Sequence, residues 1–165
     1  MKIRVRSLNE NCNIKAFKKG EWIDLRCSVK TELSAPHNAY KTRVTKFDTA
    51  LIPLGLAMEL PKHFEANILS RSSTFKHHGI LQTNAMGVID SSYSGDNDEW
   101  KLPVIALRKT TIDEKDRIAQ FRIRPSQFAP WWVKLKWLFT SSIEFDYVET
   151  LGNKDRGGFG SSGVN

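Results

Sequence analysis

Cysteine is scarce in this 165-residue chain: only Cys12 and Cys27 occur. Neither belongs to a CxxC pair or comes with a matched histidine cluster, which excludes a disulfide framework and a structural zinc site and points to a reducing compartment. Long apolar runs are missing as well. The longest weakly charged stretch, residues 50–60, is about half a membrane span and is broken by Pro53 and Gly55. The opening MKIRVRSL has no apolar signal-peptide core, so a soluble, cytoplasmic protein that does not engage membranes is expected. Acid is in deficit, 18 Asp and Glu against 25 Lys and Arg, and the resulting charge of +7 favours polyanionic partners such as nucleotides or nucleic acid. With 40% apolar and 10% aromatic residues, there is enough material for one core, and the chain reads as a single domain over 1–165.

Long amphipathic helices are absent from the pattern, and short alternating segments dominate. In Lys2–Arg6, Ile3 and Val5 share one face and three cations the other, which reads as an edge strand. Similar period-2 stretches lie at 104–107, 118–123 and 143–147, separated by turn signals such as Ser94-Gly95-Asp96-Asn97-Asp98. Many short strands with regular turns predict an all-β sandwich, jelly roll or barrel over 1–151. Residues 152–165 differ, because five of the ten glycines fall there and no strand or helix can be sustained. Among those glycines stand Arg156, Phe159, Ser161 and Ser162. A cation, a ring and hydroxyls on a flexible, N–H-rich backbone suit a phosphorylated ligand, while the plainer reading is a frayed terminus.

Two internal segments carry chemistry. Gly87-Val88-Ile89-Asp90-Ser91-Ser92-Tyr93-Ser94-Gly95 is a β-branched run ending in an acid and a polar turn, the placement of a general base, although aspartate also simply forms turns. Ser70-Arg71-Ser72-Ser73-Thr74 sets hydroxyls around one arginine, suited to phosphate or to capping a helix.

Taken in order, these segments resemble the five motifs of the trimeric deoxyuridine triphosphatase (dUTPase) family: WIDLR (22–26), SRSSTFKHHGI (70–80), GVIDSSYSG (87–95), DRIAQ (116–120) and RGGFGSSG (156–163). The resemblance implies a β jelly roll that assembles as a homotrimer with sites shared between subunits, and hydrolysis of dUTP to dUMP and pyrophosphate with Mg2+ as cofactor. It assigns Asp90 as the water-activating carboxylate and Tyr93 as the ring against deoxyribose. Asn84 becomes the reader of the uracil edge, with fixed backbone groups of the Gly79–Val88 segment beside it and Val88 and Ile89 in the binding site. Arg71, Ser72, Ser73 and Gln120 become phosphate contacts, and Asp24 a carboxylate that orients water around the metal. Arg156, Phe159, Gly160 and Ser161 are supplied by the C-terminal arm.

The sequence also departs from the family pattern. Ser92 stands where a second acid is usual, Lys115 replaces a glycine before the DRIAQ motif, and the segment between Arg156 and Phe159 is two residues shorter. Asp96–Trp100 is an insertion that reads as a hydrated hairpin turn. A second insertion near 129–142 contains Trp131–Phe139, whose apolar residues share a face in either strand or helix geometry. Burial against a subunit or an adjacent sheet face is expected for it, with a protein partner or a membrane surface as the alternative. Two other functions compete. One is a dCTP deaminase of the same fold, disfavoured because no glutamate lies in Lys101–Ile105. The other is a regulatory or partner-binding module on this scaffold; obligatory nucleic-acid binding is not expected.

Overall fold

The computed structural model describes residues 1–38 and 44–160. Fifteen strands are assigned among them: β1 (Lys2–Ser7), β2 (Phe17–Lys18), β3 (Ile23–Arg26), β4 (Thr31–Leu33), β5 (His37–Asn38), β6 (Thr45–Lys46), β7 (Thr49–Pro53), β8 (Leu56–Glu59), β9 (Phe64–Ser70), β10 (Ile80–Gln82), β11 (Gly87–Asp90), β12 (Lys101–Ala106), β13 (Thr110–Ile112), β14 (Arg117–Pro125) and β15 (Ser142–Val148). Helix α1 (Thr74–His78) follows β9 and helix α2 (Trp131–Leu138) precedes β15. The expected all-β jelly roll is what forms.

Strands β2-β15-β1-β8 make one sheet, β11-β9-β14-β3 a second and β10-β12-β7 a third, with the pairs β13-β4 and β5-β6 completing the layers. β1 is not the edge strand expected from its alternation. It lies between β15, which it pairs in parallel, and β8, which it pairs antiparallel. Its arginines are paired rather than free: Arg4 meets Glu59, directly opposite on β8, at 2.7 Å, and Arg6 donates to the Asp96 carbonyl at 2.7 Å.

Alternation sends Ile3 and Val5 of β1, Leu102, Val104 and Ala106 of β12, and Ala119, Phe121 and Ile123 of β14 into one continuous core, to which the irregularity between Arg117 and Ala119 adds Ile118. Trp100 closes it, edge-on to Phe121 at 5.2 Å between ring centroids. Cys12 and Cys27 are free and buried. Burial and the neighbouring Cys27 push the Cys12 thiol up to about 11, which keeps it unreactive. No helix among the described residues is long and apolar enough to cross a membrane.

The aromatic insertion folds as α2, and its five-residue apolar face points outward. Trp131 (70% exposed), Trp132, Leu135, Leu138 and Phe139 (82%) face solvent, so among the described residues no adjacent sheet face buries them. Only the opposite side packs inward, where Trp137 meets Phe64 edge-on and Lys19 donates to the last helical carbonyls.

Candidate active site

The central strand of the second sheet positions the site. β9 pairs with β11 so that Gly87 faces Ile68 and Asp90 faces Glu65, and pairs on its other side with β14 so that Gln120 faces Leu69. Between β11 and the C-terminal arm lies a cavity of about 430 Å³, lined among others by Asn84, Val88, Ile89, Tyr93, Lys101 and Phe159. Arg156, Gly157, Gly158 and Gly160 line it from the arm. The structure thus brings together eight of the residues singled out in the sequence: Asn84, Val88, Ile89, Asp90, Tyr93, Arg156, Phe159 and Gly160. Ser161 lies outside the described residues.

Asp90 ends β11 at the cavity rim. Its Oδ1 accepts from the Ser92 backbone N–H at 2.8 Å and the Ser92 hydroxyl at 2.5 Å, and its Oδ2 lies 3.5 Å from Arg156. Partial burial pushes this carboxyl up, but the two Ser92 hydrogen bonds and the Arg156 cation outweigh it and hold it below the usual carboxylate range. Ser92, a departure from the family pattern, therefore replaces a neighbouring negative charge by a hydroxyl donor. The Tyr93 hydroxyl donates to the Glu99 carbonyl at 3.0 Å, which fixes the ring plane. Burial, then the charges of Asp98 and Glu99, raise its phenol and keep it protonated. Gly158 rests on that ring so closely that a Cβ there would sit 3.2 Å from it. Any larger residue there would require the ring to give by a few tenths of an ångström.

The insertion at Asp96–Trp100 is not a hydrated turn. Asp98 is 1% exposed, and its carboxylate accepts from the backbone N–H groups of Gly95, Arg156 and Gly157, each at 2.9 Å. Asn97 donates twice to Asp155, and Asp96 accepts from Leu151 and Thr150. The described arm is consequently docked on its own chain rather than frayed. The tethering roles of Asp98 and Asp155 are not legible in the sequence, because their bonds join the turn to the arm some sixty residues away, which no local pattern announces.

The remaining candidates form a second cluster. Asp24 on β3 binds Arg71 Nε through Oδ1 at 2.6 Å and Arg117 through Oδ2 at 3.1 Å. Arg71 also reaches the Ser73 hydroxyl at 3.4 Å, and Gln120 Nε2 donates to the Ser70 carbonyl at 3.5 Å. Ser72 is exposed beside them, and Ser73, at the start of α1, makes no side-chain capping bond. This cluster sits at the Ser70 end of β9 and Asp90 at the Glu65 end, five residues and about 16 Å of strand apart. Arg71, Ser72, Ser73, Gln120 and Asp24 do not line the cavity. Among the described residues no group of three or more His, Cys, Asp or Glu side chains is placed to hold a metal.

The dUTPase family model matches residues 32–127. This chain belongs to the dUTPase family. It is 43% identical over 165 residues to the SPbeta prophage-derived deoxyuridine 5'-triphosphate nucleotidohydrolase of Bacillus subtilis strain 168, covering 99% of both chains. It is 40% identical over 116 residues to the deoxyuridine 5'-triphosphate nucleotidohydrolase of Rickettsia prowazekii, covering 69% of this chain and 68% of that one. Among solved structures, the dUTPase of Streptococcus mutans superimposes with a TM-score of 0.57 at 20% identity, over 74% of this chain and 91% of that one. A mutant dUTPase from phage phi11 of S. aureus, whose structure describes coordination of a structural Mg(II) ion, gives 0.56 at 17% identity, over 78% and 93%. These structural likenesses establish that the dUTPase fold is shared.

Proposed function

We propose that this dUTPase-family chain hydrolyses dUTP to dUMP and pyrophosphate, as its full-length relative in B. subtilis is named for. The observation that carries the reading is the cavity where Asn84, the Tyr93 ring and the arm's Phe159 surround space for a base and sugar, with Asp90 at the rim. The Asp90 carboxylate takes a proton from water as the water oxygen attacks the α-phosphorus. The bond from that phosphorus to the bridging oxygen breaks, and pyrophosphate leaves with the electron pair. The fixed Tyr93 ring leaves no room for a 2′-hydroxyl, so ribonucleotides are rejected. Arg156 exchanges Asp90 for phosphate when nucleotide binds, and Phe159 covers the base, excluding water and strengthening each charged contact.

A magnesium ion fits this donor set if the nucleotide brings it. Mg2+ commonly keeps its waters and binds mainly through substrate phosphates, so no protein cage is needed. Asp24, held by two arginines, would orient such waters, and the ion would neutralise phosphate charge. Phosphate contacts from Arg71, Ser72, Ser73 and Gln120 must then come from a neighbouring copy, since in one chain they lie a strand length from Asp90. A homotrimer with sites shared between chains satisfies both clusters. Deamination of dCTP is disfavoured on the same geometry: the Glu99 carboxylate accepts from the Gly55 N–H at 2.9 Å and does not line the cavity.

The test is turnover with magnesium across dUTP, UTP, dCTP and dTTP. Pyrophosphate release from dUTP alone is expected; ammonia from dCTP, or equal use of UTP, would overturn the proposal.

A further inference from the structure

Resting on the reading of Asn84 as the base-edge residue, the geometry points to Gln82 as the residue that decides which half of the Asn84 carboxamide meets the base, and hence as a determinant of uracil over cytosine. An asparagine alone cannot make this choice, because its amide offers a donor or an acceptor equally well after a half-turn. Here the half-turn is blocked by a chain of bonds anchored on an atom with no freedom. The Ile68 carbonyl of β9 can only accept, and it takes a hydrogen bond from Gln82 Nε2 at 3.2 Å. The Ser70 hydroxyl lies 3.4 Å from Gln82 Oε1 and donates to it, in agreement with the same orientation. Gln82 Nε2 then donates its second hydrogen to Asn84 Oδ1 at 2.8 Å. With its oxygen committed, Asn84 is left with Nδ2, a donor, to present to a ligand in the cavity that it lines.

A donor at that position matches the O4 carbonyl of uracil and opposes the exocyclic amino group of cytosine. The device also has a structural base. Gln82 closes β10 in the three-stranded sheet, whereas Ile68 and Ser70 belong to β9 in the four-stranded one, so the orientation is referenced to two sheets rather than to the loop at 83–86. Gln82 acts through Asn84 and is a positioning residue.

The experiment measures kcat/KM for dUTP, dCTP and dTTP, together with calorimetric binding of dUMP and dCMP, in the full chain and in Gln82→Leu and Gln82→Glu. Leucine removes the donor at similar size, and one lost hydrogen bond between neutral groups should lower the dUTP to dCTP ratio about tenfold. Glutamate offers only acceptors to Asn84 and should turn the amide around, lowering the ratio further and tightening dCMP. The dUTP to dTTP ratio should hold in both variants, because exclusion of a 5-methyl group does not depend on amide orientation. A merely structural role would depress all three substrates together. An unchanged dUTP to dCTP ratio and unchanged dCMP binding in both variants would overturn the assignment. Binding that prefers dUMP to dCMP in the unaltered chain without hydrolysis would instead overturn the hydrolytic reading and leave the role of Gln82 standing.

Discussion

At the scale of single residues, Asp90 combines exposure with a stabilised negative charge. Its side chain is about half exposed, and its bonds to Ser92 and Arg156 favour the ionised form. Asp90→Asn keeps the shape and removes the carboxylate proposed as the base. Turnover should fall by several orders of magnitude while thermal unfolding stays within about 0.5 kcal/mol of the unaltered chain, as for surface substitutions generally. Activity measurements paired with thermal melts decide this, and near-normal turnover would exclude Asp90 as the base. The direction of its pKa also fixes the pH profile. A base held below the usual carboxylate value, about 3.9, is fully ionised through the neutral range, so kcat/KM should be flat there and fall only at more acid pH. Ser92→Ala removes one of the donors that lower this pKa, and the acid limb should move to higher pH; a limb that stays in place or moves down would contradict the role given to Ser92. The same linkage acts on folding. Asp90 stabilises the native state above its unfolded pKa, and that contribution is lost as pH falls through the lower folded value.

At the scale of elements, the arm is held by a turn instead of by its own packing. Residues 152–158 are mostly exposed, yet Asp98 receives two of their amides and Asn97 grips Asp155. Gly95 passes so near Asp155 that a Cβ there would overlap its backbone. Asp98→Ala should therefore free the arm: amide exchange at Arg156 and Gly157 should accelerate sharply and the KM for dUTP rise, with β9 and β14 still protected. Unchanged exchange at those two amides would show that the turn does not hold it. The example also marks what the sequence could convey. Period-2 alternation located β12, β14 and β15, because it depends on neighbours in the chain, and the family resemblance singled out Asn84, Tyr93, Arg156 and Phe159, which the structure gathers at one cavity. It could not reveal that β1 is central, since charged residues on one face look alike whether the strand beside them is missing or present and carries their partner, as β8 carries Glu59 opposite Arg4. Nor could it choose helix or strand for Trp131–Phe139, where nearly every position is apolar and both periods fit. The acidic turn looked hydrated because its partners are distant backbone amides.

For the whole molecule, the deciding fact is the length of β9. Asp90 lies at the Glu65 end, the cavity runs from it back to Ile68 and Asn84, and Arg71, Ser72, Ser73 and Gln120 lie beyond the Ser70 end, with none of them lining that cavity. In the proposed reading, a nucleotide seated with its base at Asn84 and its α-phosphate at Asp90 would take its remaining phosphate contacts from the Arg71 cluster of a second copy, which cyclic symmetry would supply once per chain. Two defective chains should then repair each other. Ser72→Ala removes an exposed hydroxyl donor with little effect on folding and should slow turnover about a hundredfold, by analogy with the loss of one charge-stabilising donor. Asp90→Asn disables the other half. In an assembly refolded from equal amounts of the two variants, a site works when its Asp90 comes from the first variant and its Ser72 from the second, which predicts recovery of about a quarter of the normal activity in a closed cyclic trimer. Sedimentation should report three chains per particle. If the mixture is no more active than the sum of its separate components, each site is complete within one chain, and the Ser70 to Thr74 turn must serve something other than the nucleotide bound at Asn84.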